Sequence, residues 1–306
     1  MNDFSPFVSV IVPVYNHAEH LKLCLAALAR QTYPKNCYEV IVIDNGSDDA
    51  ENIKKIVNQF TQTCFTSEST PGSYAARNQG LSIAKGEIIA FTDADCIPNH
   101  NWLEKGVENL QKVPNCGLVA GKIELFFQNM VQPTPVELYE SITAFPQEKL
   151  LAEKHGGATA NIFTFKKVFD RVGKFNNTLK SNGDLEWGYR VYQQGYPQIY
   201  AEDVRVLHPA RTSWKQLYFR SIRLAAGSYD RQLQQTSSKL QKQLIFLINL
   251  SKNLVPPVMF IINSWRNTQL SGFNQKLQVC LAMFFVRYVT ALEIIKLQLG
   301  SVSARI

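Results

Sequence analysis

The sequence predicts an α/β fold, in which a mostly parallel sheet carries helices on both faces and a helical, basic segment follows. Short β-branched runs alternate with segments of helical spacing over the first hundred residues, as in sheets built from βαβ units. The chain of 306 residues is 45% hydrophobic and 19% charged, which favours a folded protein and excludes a disordered or disulfide-stapled chain. The charge also divides unevenly, since residues 1–204 hold 18 Lys/Arg and 23 Asp/Glu, whereas residues 205–306 hold 14 and 2.

The first half of the chain alternates predicted strands with predicted helices. The predicted strands are rich in Val, Ile and Phe and lie at 8–14, 40–43, 64–65 and 88–91. The helices between them, which repeat Leu and Ile at helical spacing, lie at 17–30, 51–60 and 73–84. Repeated βαβ units predict a parallel sheet that is covered on both faces.

The pattern loosens in the second half of the chain. Strands are predicted at 117–125 and 204–207, and a loop of small residues enters a further strand within 156–165. Helices are predicted at 135–154, with a break near Pro146, at 184–194, and over most of the chain from Trp214 onward. We therefore predict one domain over residues 1–235 and a helical, basic, amphipathic region over residues 236–306.

Polar residues follow three of the predicted strands, at Pro13–Asn16, Asp44–Ser47 and Asp93–Asp95. In a parallel sheet the ligand lies at the carboxyl ends of the strands. The two carboxylates Asp93 and Asp95, one residue apart at a strand end, are suited to one hard cation and a bound phosphate, and oxygen ligands favour Mg²⁺ or Mn²⁺. A lone D-x-D triplet also occurs in solvated turns, so its position after a buried strand carries this prediction.

Five segments in order resemble the family 2 glycosyltransferases, which have the Rossmann-like GT-A fold of the nucleotide-diphospho-sugar transferases. Five motifs of that family are matched: the opening strand, the strand with a D-x-S-x-D-like end, the "ARNxG" helix start, the metal motif and the acceptor-side "ED" motif. The matching segments are Val8–Asn16, Glu39–Asp49, Gly72–Gly80, Phe91–Asp95 and Asn182–Arg190. The resemblance covers about residues 8–225.

This resemblance implies an inverting glycosyltransferase of the hexosyltransferase type, which moves a sugar from a nucleotide-diphospho-sugar to a hydroxyl acceptor with the help of Mg²⁺ or Mn²⁺. It implies metal ligation by Asp95, Asp93 and His208, although a lone His is often structural. Residues that it places at the nucleotide-sugar are Pro13, Tyr15, Asn16, Asp44, Arg77, Asp93, Asn161 and Arg211. For Asn161 a tight structural loop remains the alternative.

The general base is predicted within the helix that begins near residue 184. The resemblance favours Asp184, with Glu186 as the rival because Gly183 stands where the family usually has Glu. A carboxylate near the acceptor hydroxyl is the usual device for removing its proton, although Asp184 could also serve as a helix cap. Trp187 is predicted either to stack on an acceptor sugar ring or to pack on the helix.

The basic tail predicts a partner that carries phosphate, such as an anionic lipid surface or a phosphorylated substrate. Its two apolar stretches, 244–262 and 279–299, are interrupted by polar residues, so we expect helices that lie on the inner, cytoplasmic face of a membrane or pack on the domain or a second copy. Arg220 and Arg223 share a helix face and are expected either to meet a lipid phosphate or to be solvated. Nucleic acid is not among the expected partners.

The N-terminal residues Met1–Asp3 begin no basic and apolar leader, so we expect no secretory signal, reduced thiols and a cytoplasmic location. None of the six cysteines lies in a C-x-x-C pair, so a zinc knuckle is not predicted.

Other functions remain as alternatives. A nucleotidyltransferase would carry a Gly-rich basic loop after the first strand, and residues 13–20 hold no Gly, Arg or Lys. A catalytically inactive nucleotide-sugar-binding protein is disfavoured by the retained aspartates. A processive synthase would carry Q-x-x-R-W, and the spacing of Gln216 and Arg220 does not match it. We therefore expect an enzyme that adds a single sugar to a surface polysaccharide or a lipid-linked glycan.

Overall fold

The computed structural model describes residues 5–234 and 236–301. Its chain divides into two compact units. The sheet unit comprises Met1–Glu124, Phe145–Thr178 and Gly183–His208, and the helical unit comprises Leu125–Ala144, Leu179–Asn182 and Pro209–Ile306. The predicted domain boundary at residue 235 and the N-terminal residues considered for a leader lie outside the described residues, and both stay predictions.

Eight strands form one sheet within the described residues. They are β1 (Val8–Val14), β2 (Tyr38–Asp44), β3 (Thr63–Ser67), β4 (Ile88–Thr92), β5 (Ile97–Pro98), β6 (Leu118–Phe126), β7 (Asn161–Phe165) and β8 (Gln198–Pro209). The strands predicted from the β-branched runs are confirmed, and β8 extends further than the predicted segment at 204–207.

Twelve α-helices connect and cover these strands in the same described part of the chain. They are α1 (Ala18–Ala29), α2 (Ala50–Val57), α3 (Ser73–Ile83), α4 (Trp102–Lys112), α5 (Pro135–Thr143), α6 (Gln147–Lys154), α7 (Lys166–Val172), α8 (Gly183–Gln193), α9 (Trp214–Gln234), α10 (Lys239–Leu254), α11 (Val258–Arg266) and α12 (Gly272–Gln298). The break predicted near Pro146 falls between α5 and α6.

The sheet order is β3-β2-β1-β4-β7-β6-β8-β5. Strands β1 to β4 pair in parallel, whereas β7 pairs antiparallel to both β4 and β6, and β5 pairs antiparallel to β8. In the register, Val14 lies beside Asp44 and Thr92 beside Asn161. The carboxyl ends of β1, β2 and β4 and the amino end of β7 therefore share one edge of the sheet, as the sequence predicts for the polar strand ends.

Two apolar clusters cover the two faces of the sheet. Because successive strand residues point to opposite faces, Val10 and Val12 lie in the cluster that includes α1 and α4 residues, whereas Ile11 lies in the cluster that includes α3 and α8 residues. All three residues have no exposed surface. This arrangement confirms the predicted α/β fold with helices on both faces.

Helix α4 was not among the predicted elements. Its buried residues recur at helical spacing, with Trp102, Leu103, Val107 and Leu110 turned to the core. A Cβ on Gly106 would lie 2.2 Å from the ring of Phe163, so only glycine lets α4 lie this close to β7. The close packing of helix and sheet depends on a partner about sixty residues away, which the local sequence does not show.

The helical unit is built from α5 and α9 to α12, and α12 packs against each of the other four. Its apolar core includes Val136, Tyr139, Leu217, Val279 and Ala282. By length and composition α12 could cross a membrane. Of its most apolar stretch, 39% is buried inside the protein. Helices α10 and α11 are long and apolar enough to cross a membrane only when they are taken together, and the pair is bent by 42°. From the sequence, 279–299 was predicted not to be a clean span because Arg287, Glu293 and Lys296 interrupt the apolar stretch.

Candidate active site

The loops after β1 and β2 hold each other in place. The Asn16 side-chain amide donates to the Asp48 carboxylate over 2.9 Å, and its carbonyl oxygen accepts the Asp48 backbone N–H over 2.8 Å. Asn16 has a φ of 55°, a left-handed conformation that Asn tolerates better than most residues. The neighbouring Tyr15 ring is 55% exposed. The pair of loops therefore presents an aromatic ring on a fixed backbone, beside Pro13 on β1.

Asp44 ends β2 as a buried carboxylate. Its oxygens accept the backbone N–H groups of Gly46 and Ser47 over 3.3 Å. Gly46 has a φ of 83°, which suits glycine at this turn. The turn fixes the direction of the carboxylate while leaving its remaining lone pairs for a ligand's hydroxyl or base N–H.

A buried arginine connects two of the predicted site residues. Arg77 is 3% exposed, and its Nη2 forms an ion pair with Asp93 Oδ1. The Arg77 Nε has no partner within the described residues. The guanidinium also acts on the carboxyl of Asp184, whose pKa it lowers against the stronger effect of burial. The "ARNxG" helix start and the strand end with Asp93 are thus joined by one charged contact.

Asp95 and His208 form a candidate cation site. The His208 Nε2 lies 3.6 Å from Asp95 Oδ1, and the imidazole is nearly buried against the Phe145 ring. Carboxylate oxygens suit both Mn²⁺ and Mg²⁺, whereas an imidazole nitrogen is a softer donor that suits a transition-metal ion such as Mn²⁺ better than Mg²⁺. Cys96 is close enough to complete a group of three, but burial, followed by the charges of Asp93 and Asp95, raises the pKa of its thiol well above the usual value. The fit is therefore to a hard cation on Asp95 and His208, with Asp93 adjacent and Cys96 outside the ligand set.

Asp184 lies at the first turn of α8 and is held by several donors. The Leu185 N–H and the Tyr74 hydroxyl donate to Oδ1 over 3.0 and 3.2 Å, and the Thr159 N–H donates to Oδ2 over 3.4 Å. Burial raises the pKa of this carboxyl, while the Arg77 charge and these donors lower it in part. The net rise brings the carboxyl closer to the basicity that a general base needs.

The structure explains the glycine that precedes Asp184. A Cβ on Gly183 would lie 2.7 Å from the Tyr74 ring, and the Gly183 N–H donates to the Tyr74 hydroxyl over 2.9 Å. The Tyr74 ring therefore occupies the space that a side chain at this position would need. Sequence reasoning missed Tyr74, although it stands three residues before Arg77 and so on the same face of α3.

Glu186 is engaged by another partner. The Arg190 guanidinium donates to both Glu186 oxygens over 2.7 and 3.0 Å. Arg190 also donates to the carbonyl oxygens of Val172 and Lys174, so it joins α8 to the end of α7. A carboxylate held by such a fork is less available for proton transfer. Of the two predicted bases, the geometry favours Asp184.

Asn161 and Trp187 lie inside the sheet unit with no exposed surface. The Asn161 amide donates to the carbonyl oxygens of Lys122 and Val204 over 2.8 Å and accepts the Trp102 indole N–H over 2.9 Å. The Trp187 indole stacks on Phe169 at 4.4 Å and donates to the Gly173 carbonyl oxygen. Both side chains are fully used inside the unit, so the structure supports the packing alternatives that the sequence left open for them.

Arg211 belongs to the helical unit, where it pairs with the buried Glu140 over 2.9 Å. Its predicted contact with a diphosphate stays a prediction. Arg220, from the same unit, lies 3.5 Å from the same carboxylate. The alternative prediction that Arg220 lies on a solvated helix face is therefore wrong.

Comparison with known proteins identifies the family. The family model described as Glycosyl transferase family 2 matches residues 9–174. The chain belongs to glycosyl transferase family 2. Glycosyltransferase AglE of Haloferax volcanii is 41% identical over 216 residues, which are 69% of this chain and 69% of the relative.

A second relative, from Methanococcus voltae, is named dolichyl N-acetyl-alpha-D-glucosaminyl phosphate 3-beta-D-2,3-diacetamido-2,3-dideoxy-beta-D-glucuronosyltransferase. It is 28% identical over 233 residues, 72% of each protein. This family 2 chain is a glycosyltransferase, as the sequence motifs predicted.

A solved structure of the mannosyltransferase PcManGT from Pyrobaculum calidifontis shares the fold. That structure contains GDP-Man and Mn²⁺, and it superposes with a TM-score of 0.63 at 18% identity. The match covers 98% of this chain and 89% of the other. At this identity the likeness shows the GT-A fold, which the sequence motifs predicted.

Substitution Asp184→Asn should raise the melting temperature of this glycosyltransferase at neutral pH. Because the folded-state pKa of Asp184 is raised, its ionisation costs folding free energy above that pKa, and the cost disappears as pH falls below the unfolded-state pKa of about 4. Asn keeps the shape without the charge. Each kcal/mol relieved should raise the melting temperature by about 2–4 °C.

Thermal melts of both proteins over a pH series measure this effect. The gain should be largest at neutral pH and vanish in acid, while Asp170→Asn, a control at an exposed carboxylate, should change little. A lower melting temperature for Asp184→Asn at neutral pH would contradict the argument, because the hydrogen bonds to the ionised form would then outweigh its burial.

Proposed function

We propose that this glycosyltransferase moves a sugar from a nucleotide-diphospho-sugar to an acceptor hydroxyl with inversion, and that the acceptor is a lipid-linked or surface glycan. The observation that carries the proposal is the set Asp93–Arg77–Asp184, in which Arg77 links a carboxylate of raised pKa to the strand-end carboxylate of Asp93. The GDP-Man in PcManGT supports the donor class, and the dolichyl phosphate in the name of the Methanococcus relative supports a lipid-linked acceptor.

Asp184 takes the proton of the acceptor hydroxyl in this proposal. The carboxylate accepts that proton on an oxygen as the hydroxyl oxygen attacks the anomeric carbon and the bond to the diphosphate breaks. One displacement from the opposite face inverts the anomeric centre. Tyr74 and the Leu185 N–H hold the carboxylate in position during the transfer, so little reorganisation is needed.

The donor lies along the edge formed by the ends of β1, β2 and β4. Asp44 accepts a hydrogen bond from the base or ribose, and the exposed Tyr15 ring offers a stacking surface for the nucleoside beside Pro13 and Asn16. Arg77 holds Asp93 in place through its ion pair. These contacts orient the diphosphate as the leaving group.

Asp95, His208 and Asp93 would hold Mn²⁺ or Mg²⁺. Bound there, the cation would neutralise charge on the departing diphosphate. The 3.6 Å separation of the Asp95 and His208 donor atoms supports this assignment, and Mn²⁺ is present in the PcManGT structure.

Comparison of Asp184→Asn with Glu186→Gln tests the base. We expect Asp184→Asn to lower turnover by about two to four orders of magnitude while nucleotide-sugar binding survives, because the shape of the site is kept. Glu186→Gln is the matched control and should retain most turnover. The measurement is the release of nucleoside diphosphate from a panel of UDP- and GDP-sugars in the presence of an acceptor.

The pH profile gives the same test a second readout. Because the pKa of Asp184 is raised, the rate should fall as pH drops through a value above the usual carboxyl range. The roles exchange if Glu186→Gln loses turnover and Asp184→Asn does not.

Asp95→Asn should weaken nucleotide-sugar binding in Mn²⁺ and abolish transfer, because an amide oxygen is a poorer cation ligand than a carboxylate. Calorimetry with GDP and UDP, with and without Mn²⁺, measures the binding, and Asp170→Asn serves as the exposed control. Full activity of the unaltered protein in excess chelator would remove the metal from the mechanism.

The helical unit is proposed to dock on the anionic cytoplasmic face of a membrane. It contains 14 Lys/Arg and 4 Asp/Glu. Helices α10 to α12 also expose an apolar surface, which we define by Leu240, Leu244, Leu247, Val258, Met259, Phe273, Leu281 and Tyr288, each more than half exposed. Basic residues near an anionic leaflet contribute about 1 kcal/mol each, and apolar side chains add hydrophobic attachment. This combination of charge and exposed apolar area supports a lipid surface as the partner, since the net positive charge would repel a second copy.

Flotation of the full chain with phosphatidylglycerol vesicles tests the docking. The double substitution Leu247→Glu with Met259→Glu should abolish co-flotation at low salt, whereas Leu23→Glu, at a comparably exposed leucine of α1, should not. Unaltered protein that stays soluble with vesicles at low salt would contradict the proposal, and dimers in solution that the double substitution disrupts would assign the apolar surface to a second copy.

A further inference from the structure

Two arginines of the helical unit share one buried carboxylate. The Arg211 Nη1 and backbone N–H donate to the two oxygens of Glu140 over 2.9 Å, and the Arg220 Nε lies 3.5 Å from the same carboxylate. Glu140 has no exposed surface, and the side chains of Arg211 and Arg220 are 23% and 17% exposed. One carboxylate therefore faces two largely desolvated cations.

The cluster of Arg211, Arg220 and Glu140 carries a net positive charge. Burial lowers the pKa of Arg220, Arg211 and Arg223 lower it further, and Glu140 and Tyr139 raise it. Arg223 is thus a third cation within electrostatic range. Glu137, one turn earlier on α5, accepts the backbone N–H groups of Gln128 and Thr134 with its two oxygens.

Desolvated charge is stable when an opposite charge or strong hydrogen bonds accompany it. Arg211 commits Nη1 to Glu140, and its guanidinium has five N–H donors in all, so it keeps donors for an incoming anion. A planar guanidinium suits phosphate, which it binds with paired hydrogen bonds. Glu140 holds Arg211 and Arg220 in place before the anion arrives, which lowers the entropy lost on binding.

The surroundings point to the source of that phosphate. The same unit carries the strong positive balance and the exposed apolar surface of α10 to α12. A phosphate attached to a lipid would meet both features, whereas a soluble anion would use only the arginines.

We infer that Arg211 and Arg220, held by Glu140, bind the phosphate that joins the acceptor's glycan to its lipid. This inference rests on the proposed function, from which the lipid-linked acceptor comes, and adds the residues that recognise it. The competing source of the same chemistry is the donor diphosphate, for which the sequence offered Arg211.

Binding of the full chain to two kinds of vesicle separates these sources. The vesicles are phosphatidylcholine with polyprenyl phosphate and phosphatidylcholine with the same mole fraction of phosphatidylglycerol. Arg211→Gln removes one donor set and leaves Arg220 to pair with Glu140. Lys215→Gln, at an exposed residue of α9, removes the same charge and is the matched control.

We expect Arg211→Gln to weaken binding to the polyprenyl phosphate vesicles about tenfold more than Lys215→Gln does. Binding to phosphatidylglycerol vesicles and calorimetric affinity for GDP and UDP should be equal in the two variants, and Arg211→Lys should recover only part of the loss. A drop in GDP or UDP affinity with polyprenyl phosphate binding intact would assign the arginines to the donor. Equal losses of vesicle binding in the two variants would show that binding depends on the general positive charge of the unit. No loss with Arg211→Gln would show that Arg211 serves only as a structural ion pair.

Because these experiments measure binding and not turnover, they can overturn the inference while the proposed function stands. If Asp184→Asn abolishes transfer and Arg211→Gln binds polyprenyl phosphate like Lys215→Gln, the transferase proposal stands and the inference is overturned. Thermal melts of each variant guard against misfolding as the cause of lost binding.

Discussion

The buried guanidinium of Arg77 is the constraint on which the site depends. An ion removed from water costs several kcal/mol unless opposite charges accompany it, and Arg77 meets Asp93 directly and acts on Asp184. These residues belong to the start of α3, the end of β4 and the start of α8. One charge requirement therefore fixes three elements that are distant in sequence, and it places two of the predicted site carboxylates, Asp93 and Asp184, around the same guanidinium.

The basicity of Asp184 follows from opposing effects at that cation. Burial favours the neutral carboxyl, while Arg77, Tyr74 and two backbone N–H groups favour the ionised one. The larger effect is burial, so the carboxyl is a stronger base than an exposed aspartate and still accepts hydrogen bonds that orient it. Gly183 permits this balance, because a Cβ there would lie 2.7 Å from the ring of Tyr74, whose hydroxyl donates to the carboxylate.

Most of the sheet and the strand-end residues were predictable because their signals are local. The β-branched run Val8–Val14 and the polar ends at Asp44 and Asp93 need no partner to be recognised. The roles of Tyr74 and Gly106 were not predictable, since each depends on contact with a residue far along the chain, Asp184 and Phe163 respectively. Burial decided the remaining cases: Trp187 and Asn161 carry the residue types of a ligand site, yet both are enclosed by the core.

The two units differ in charge in a way that suits two kinds of phosphate. The sheet unit holds 18 Lys/Arg and 21 Asp/Glu, and the helical unit holds 14 and 4. A diphosphate approaching the aspartates of the sheet unit meets repulsion that a divalent cation on Asp95 and His208 would remove. In the proposed docking, an anionic leaflet would attract the positive helical unit more than the sheet unit. The two proposed ligands therefore fit the charge of the unit that would bind each: a donor diphosphate with a divalent cation suits the acidic sheet unit, and an acceptor phosphate suits the arginines of the basic helical unit.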